Sequence, residues 1–320
     1  MPSQLAFERF SRDLDALIKA DARIGIAVSG GPDSLALLLF AAFARPGGIE
    51  AATVDHALRP ESSAEAVEVH QVCRGLGVDH AILTAEWTET PRSAIQERAR
   101  LERYRLLARW AKSRNLDAVA TGHHLDDQAE TFVMRLARGS GVRGLAGMRA
   151  ISLVPASDVP LLRPLLGWHK AELDAICATA GLRPISDPSN ADDRYERVRV
   201  RQALEDSGWL RPDSLAASAA HLRAADDALD WATRQEWDRA VTNGGAEIVY
   251  TPIDAPAEIR RRIIQAAVAR LASEGSGNPL KGREVDSLIS ALAEGRRATI
   301  RGVLCAGGSE WRFKKAPPRR

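Results

Sequence analysis

Between residues 24 and 121 short apolar, β-rich runs alternate with longer helical patterns, and that order admits few architectures. Ile24 to Val28 reads as a strand, runs into a Gly-containing turn and continues as the apolar run Leu35 to Ala44. Ile49 to Val54 is strand-like, Glu61 to Leu76 helical, and Ala81 to Leu83 a short strand. A long helix is expected over about Ser93 to Arg114, followed by a buried strand at Ala118 to Thr121. Strands that alternate with helices predict an α/β fold, a doubly wound and mainly parallel sheet covered on both faces. Such sheets bind ligands beyond the carboxyl ends of their strands, so the turns after Val28, Val54 and Thr121 are expected to share one crevice.

A chain of 320 residues is long enough for about two domains. Beyond Gly181 the strand signal fades, and amphipathic helical stretches run from about Asp213 to Ala240 and from about Ala257 to Ala272. Breaker residues Ser207, Gly208, Pro212 and Asp213 suggest a division into a catalytic domain at 1–207 and a smaller, mostly helical appendage at 208–320. The segments Ala298 to Leu304 and Glu310 to Phe313 flank Gly307 and Gly308 as a terminal hairpin would, with a disordered tail expected after Phe313.

The 45% hydrophobic and 27% charged content is that of a soluble globular protein. Leu35 to Ala44 is too short to cross a bilayer and is expected to be a buried helix. Charged residues Glu8, Arg9, Arg12 and Asp13 interrupt the N-terminus where a signal peptide would be apolar, so a cytoplasmic location with no membrane contact is expected. Cys73, Cys177 and Cys305 lie far apart, offer no Cys-x-x-Cys pair for a cluster, and are expected to be small buried hydrophobes. A net charge of +2 says little about nucleic acid, but basic residues gather at Arg194, Arg197, Arg199 and Arg201, at Arg260 to Arg262, and at Arg312, Lys314, Lys315, Arg319 and Arg320.

Ser29-Gly30-Gly31-Pro32-Asp33-Ser34 stands between the first strand and its helix. Its glycines permit close backbone approach, while serine hydroxyls and free amides at the helix start offer donors to an anion. It lacks the lysine of a Walker A loop, which removes the main support for a kinase or GTPase. Asp33 would repel phosphate unless a cation stood between them, so Mg²⁺ is expected there. The string resembles the signature of PP-loop ATP pyrophosphatases, which grip the pyrophosphate end of ATP.

Gly139-Ser140-Gly141-Val142-Arg143-Gly144 matches a dinucleotide fingerprint, yet it follows the helical stretch Gln128 to Arg138 where that fingerprint requires a strand. A flexible loop is expected, with Arg138 and Arg143 available to phosphate or RNA. After the strand at Ala118 comes Gly122-His123-His124-Leu125-Asp126-Asp127-Gln128-Ala129-Glu130-Thr131. With a helix beginning near Leu125, Asp127 and Glu130 share a face beside His123 and form a small carboxylate pocket. Dipole complementation explains acidic residues at a helix start, but not their position beside a nucleotide loop.

Residues 122–148 resemble the tRNA(Ile)-lysidine synthetase family, whose pattern Gly-His-His-x-Asp-Asp-Gln-x-Glu-Thr leads to Gly-Leu-x-Gly-Met, here Gly144 to Met148. Val54 to Arg59, then Glu97, Ala99, Arg100, Arg103 and Tyr104, then Arg163 to Leu166 and Asp187 to Asn190 extend the likeness over about residues 24–201. One departure is Val198, where the family's Arg-Asn-x-x-Arg has asparagine between Arg197 and Arg201.

The resemblance implies an adenine nucleotide alpha hydrolase-like fold and an ATP-dependent ligase that joins free lysine to the wobble cytidine of an isoleucine tRNA with a CAU anticodon. ATP and Mg²⁺ are the implied cofactors. Ser29, Gly30, Gly31, Pro32, Asp33, Ser34, Asp55 and His56 would bind the nucleotide, with Asp33 as metal ligand. Asp33, His123, Asp127 and Glu130 would carry the chemistry, Asp127 and Glu130 also receiving lysine. Arg100, Arg103, Arg138, Arg143, Arg197 and Arg201 would meet the tRNA. Alternatives left open are a PP-loop tRNA thiolase, an ammonia-dependent amide-forming synthetase and a non-catalytic RNA-binding module, and the sequence also leaves a homodimer open.

Overall fold

In the computed structural model, which describes residues 3–58, 61–87, 95–185, 192–272, 280 and 282–317, the N-terminal part follows the expected alternation. It runs α1 (Gln4–Asp15), β1 (Ile24–Ala27), α2 (Pro32–Ala44), β2 (Ile49–Asp55), α3 (Ser62–Gly75), β3 (Asp79–Thr84), α4 (Ile95–Ser113), β4 (Ala118–Ala120) and α5 (Leu125–Ala137). There follow α6 (Val142–Leu145), β5 (Ile151–Leu153), β6 (Pro160–Leu162), α7 (Lys170–Thr179) and α8 (Glu196–Ser207). Ser93, Arg59, Arg319, Arg320 and the string Asp187 to Asn190 lie outside the described residues.

The first sheet has the order β3-β2-β1-β4-β6-β5. All its pairings are parallel except that of β5, an antiparallel edge strand held by Ile151 opposite Leu162. Strands β5 and β6 are too short to stand out as period-two patterns, which is why the sequence did not announce them. The order reverses between β1 and β4, and the loops leaving those two strands therefore open onto one crevice.

Helix α2 is apolar all round and buried from Ser34 to Ala41, as a helix pressed between a sheet and further helices must be. Pro32 at its start carries no N–H and comes with φ suited to the first turn. Phe10 and Leu14 of α1 and Leu173 and Ile176 of α7 join α2 over one face of the sheet. Tyr104, Leu107, Trp110 and Ala111 of α4 cover the other. Gly25 lets α4 come this close, since a Cβ there would lie 2.5 Å from the Trp110 ring. Cys73, Cys177 and Cys305 are all buried, and burial pushes the Cys73 thiol up to about 12.

The chain divides into two compact units, Met1–His221 and Leu222–Arg320. The breakers at 207–213 separate α8 from α9 (Pro212–Ala240), and the division between units falls inside α9. The second unit continues with β7 (Val241–Asn243), β8 (Glu247–Tyr250), α10 (Ala257–Leu271), α11 (Gly282–Ala293), β9 (Arg297–Ile300), β10 (Val303–Ala306) and β11 (Trp311–Lys315). The expected terminal hairpin is part of a five-stranded antiparallel sheet, ordered β7-β8-β11-β10-β9. Lys314 and Lys315 belong to β11, so order extends past Phe313. The expected flexible loop at 139–144 likewise contains a helical turn, α6.

Of the second unit's basic cluster, Arg262 is 3% exposed and turned inward. It binds Asp226 and Asp230 at 2.7 Å and Glu258 at 2.9 Å. A guanidinium supplies five donors in a plane, enough to satisfy three carboxylates at once.

Candidate active site

A cavity of about 600 Å³ opens at the carboxyl ends of β1, β2 and β4. Ser29, Gly31, Asp33 and Ser34 form part of its wall, with Val54 and His56 from the end of β2 and Gly122, His123 and Asp127 from the β4–α5 junction. Helix α4 contributes Arg100, Arg103 and Tyr104, and α8 contributes Arg197. The three expected turns thus meet in one space of the size that holds a small ligand. Of the remaining expected site residues, Gly30, Pro32, Asp55, Glu130, Arg138, Arg143 and Arg201 are not among those lining it.

The first loop is braced from within. The Ser29 amide donates to Ser34 Oγ at 3.1 Å, and that hydroxyl donates to the Gly31 carbonyl at 2.9 Å. Gly30 has φ +84°, in the left-handed region, and a Cβ there would strike Ile185 at 2.4 Å. Gly122 lies against the loop's main chain, where a Cβ would stand 2.8 Å from the Asp33 carbonyl oxygen. The glycine before the two histidines is what lets the β4–α5 junction touch the 29–34 loop.

Asp33 faces two cations that the sequence did not mark as site residues. His124 Nε2 and Lys170 Nζ each lie 3.6 Å from one of its carboxylate oxygens. His124 is 2% exposed and also stands 3.5 Å from Asp126 and 3.6 Å from Asp127. Burial alone would lower the His124 pKa, but hydrogen bonds to Asp126 and Asp33 and the charges of Asp127 and Asp33 carry it up to about 10, so the ring is an imidazolium. Its position as the residue before α5 was visible in the sequence, whereas nothing marked Lys170, which arrives on α7. Lys170 also donates its backbone N–H to Asp126 at 2.8 Å, joining the starts of α5 and α7.

The acidic pair is engaged by arginines. Arg197 reaches Asp127 at 2.6 Å and Glu130 at 2.5 Å, and Arg201 reaches the other Glu130 oxygen at 2.7 Å. Asp127 spends its second oxygen on the His124 backbone N–H at 3.0 Å. Two arginines expected on an RNA-facing surface therefore turn onto the carboxylates expected to receive lysine. They stand one helical turn apart on α8, and the intervening Val198 is 8% exposed, so an apolar side chain packs where the family pattern has asparagine. Arg138 pairs with Glu196.

His123 donates to or accepts from Thr121 Oγ1 at 2.9 Å, and burial, ahead of the nearby charges, lowers it to about 4, leaving a neutral ring at the cavity wall. His56 is also lowered to about 4, by burial first and then by Arg103. Asp55 does not face the ligand space. Its carboxylate accepts from the Ala57 amide and from the Ser62 and Ser63 hydroxyls at 2.6 to 2.8 Å, fixing the turn from β2 into α3. Asp33 Oδ1 is buried with no partner at hydrogen-bond distance, the Lys170 ammonium standing 3.6 Å from it. Among the described residues no group of three His, Cys, Asp or Glu could hold a metal on its own.

Residues 5–207 match the family described as PP-loop domain. A tRNA(Ile)-lysidine synthase of Novosphingobium aromaticivorans is 45% identical over 317 residues, 98% of this chain and 95% of that protein. One from Zymomonas mobilis is 41% identical over 93% of this chain and 90% of its own length. Among solved structures, a U34-tRNA thiolase from Methanococcus maripaludis superposes with a TM-score of 0.57 at 18% identity, covering 69% of this chain and 81% of that one, and so shares the fold. The loop, the acidic helix start and full-length similarity agree, and the chain belongs to the tRNA(Ile)-lysidine synthase family of PP-loop proteins.

Proposed function

We propose that the chain ligates free lysine to the wobble cytidine of an isoleucine tRNA with a CAU anticodon, through a cytidine adenylated at its C2 oxygen. AMP and pyrophosphate are released. The observation that carries this reading is that the Ser29–Ser34 loop and the Asp127–His123 wall bound a single cavity. Both halves of an adenylate-then-displace reaction need to reach one cytidine, and one cavity permits that.

The loop amides and the serine hydroxyls would hold the β- and γ-phosphates, with the start of α2 adding its positive dipole end. Asp33, which has no group of three His, Cys, Asp or Glu around it among the described residues, would give Mg²⁺ a single carboxylate and leave waters and phosphate oxygens as its other ligands. Mg²⁺ would neutralise charge on the departing pyrophosphate. His124 and Lys170 add two positive charges beside Asp33 and would do the same from the protein side. Val54 and His56 would take the adenosine end.

Lysine enters as an ammonium, and making its amine neutral at pH 7 costs about 4.6 kcal/mol. Asp127 would bind that ammonium and help remove its proton, with neutral His123 adjacent as acceptor. Asp127 already holds Arg197 on one oxygen and the His124 amide on the other, so a lysine ammonium would share that carboxylate or displace Arg197 from it. A guanidinium so displaced is available to an RNA phosphate. Arg100 and Arg103 supply further positive charge at the wall, and the C-terminal unit is assigned to hold the tRNA. No helix among the described residues is long and apolar enough to cross a membrane, which fits an enzyme acting on tRNA in the cytoplasm.

None of the three cysteines lines the cavity, which disfavours sulfur transfer through a persulfide. The test is incubation with labelled lysine, ATP, Mg²⁺ and a CAU-anticodon isoleucine tRNA transcript. Label in RNA with AMP and pyrophosphate is expected, and Asp33→Ala and Asp127→Ala are each expected to abolish it. Pyrophosphate exchange that runs equally well without tRNA would point to an amide-forming synthetase instead.

A further inference from the structure

Trp209 is 77% exposed, far outside the ordinary range for the largest apolar side chain. It is also held still. Helix α8 ends in Gly208 at φ +62°, the Trp209 amide donates to the Ser207 carbonyl at 2.7 Å, and the Leu210 amide donates to Ser207 Oγ at 3.2 Å. The Ser207 hydroxyl in turn donates to the Leu204 carbonyl at 2.9 Å, anchoring the turn to the helix. Two residues on, the Arg211 side chain is 74% exposed, with Asp213 3.8 Å from its guanidinium as a loose surface pair that a phosphate can replace. A rigid turn that presents an indole and a guanidinium to solvent offers a flat surface and a positive charge side by side.

The turn is tethered to the rim of the active-site cavity from two sides. Arg201, which grips Glu130, lies on the same helix, and at about 1.5 Å rise per residue the helix carries the chain roughly 9 Å from Arg201 to its end. Asp213, just past the turn, pairs with His169 Nε2 at 3.0 Å. The neighbouring Lys170 is the residue that faces Asp33. Trp209 therefore stands within about 16 Å of Arg201, counting about 3.5 Å for each of the two extended residues beyond the helix. At a stacked rise of about 3.4 Å per nucleotide that distance is at most about five nucleotides of single strand, which fits within one hairpin loop.

We infer that Trp209 is a stacking platform for an unpaired base of the RNA substrate, close along the strand to the base that enters the cavity, with Arg211 on the adjoining phosphate. The inference rests on the tRNA reading above and names a contact that reading leaves open. A base that leaves its stack to react exposes the faces of its neighbours, and an indole replaces the lost stacking while remaining tolerant of sequence.

The test uses the full chain and a fluorescently labelled anticodon stem–loop, with binding followed by anisotropy. Trp209→Ala is expected to weaken binding about tenfold, Trp209→Phe by no more than about threefold, with ATP affinity and melting temperature unchanged in both. Single abasic substitutions along the loop identify the stacked base: at one position the wild type loses affinity and Trp209→Ala loses none further. Trp209→Ala binding within twofold of wild type, or losing affinity equally at every abasic position, overturns the inference. So does a concentration-dependent dimer of the wild type that Trp209→Ala abolishes, since the indole would then serve a second copy of the chain. If the wild type binds no stem–loop and transfers no lysine, the functional reading fails and takes this contact with it. If the wild type does both and Trp209→Ala matches it, only the contact fails.

Discussion

Arg197 and Glu130, 67 residues apart in sequence, are joined by a 2.5 Å ion pair that holds α8 against α5 at the cavity's edge. Glu130 is 2% exposed and takes Arg201 on its other oxygen, so one buried carboxylate anchors two guanidinia.

Removing that anchor takes this ion pair from Arg201 and leaves Arg197 paired with Asp127. Glu130→Ala is expected to lower stability by about 2 kcal/mol, less than a fully buried pair would cost because each guanidinium keeps access to water. Urea unfolding gives the figure, and a change under 0.5 kcal/mol would show the pair to be incidental. Lysine transfer is expected to fall at least about 100-fold, since Arg197 then has Asp127 as its remaining carboxylate and competes with lysine for it.

Gly122→Ala places a methyl group 2.8 Å from the Asp33 carbonyl and 3.0 Å from the Ser34 amide nitrogen. Both are main-chain atoms that no rotamer change can move aside, so the nucleotide loop must shift. ATP affinity by calorimetry is expected to drop at least about tenfold with the circular-dichroism spectrum retained, a displacement of about 1 Å being enough for such losses. Wild-type ATP affinity in this variant would mean that the loop tolerates displacement.

His80 is lowered to about 4, chiefly by burial and then by His70, and shares a 2.8 Å contact with Thr53. A histidine whose folded pKa lies below its unfolded value of about 6.5 contributes stability present above pH 6.5 and lost as pH falls through 4. His56 and His123, both at about 4, act in the same window and the same direction. Urea midpoints measured from pH 7 to 4 are expected to fall, and His80→Gln to fall less steeply. Parallel slopes for the two proteins would remove His80 from the account.

Arg262→Met removes the cation that pairs with Asp226, Asp230 and Glu258, the Asp226 side chain being 3% exposed in the native fold. A loss of about 3 kcal/mol is expected from thermal or urea unfolding of the C-terminal unit. Adding Asp226→Leu is expected to recover part of it, because the double variant no longer buries that carboxylate beside an apolar methionine. A double variant no more stable than Arg262→Met would contradict that.

The alternation from β1 to α5 was legible because most of its elements are long enough to show their period and are bounded by breakers, as at Gly30 and Gly122, whereas the three-residue strands β5 and β6 were not. The five-stranded sheet of the second unit was not. Val241–Asn243 and Glu247–Tyr250 are short, and while β7 pairs with its neighbour β8, the other edge of β8 is held by β11 some sixty residues further on, a contact that local pattern does not show. Asp55 was expected on the nucleotide because it sits at the end of β2, but three local donors claim its carboxylate.

By itself the sequence determined the parallel α/β layout, the glycine-containing turn at 29–34 and the acidic start of α5, because turn chemistry, helix capping and hydrophobic period act over a few residues. The tertiary structure alone decided which charges meet. Asp33 faces His124 and Lys170, and Glu130 faces Arg197 and Arg201, because the strand order places β1 beside β4 and brings in α7 and α8 from far along the chain. Coulomb attraction at such distances depends on packed position and local dielectric, neither of which is written in the spacing of residues along the chain.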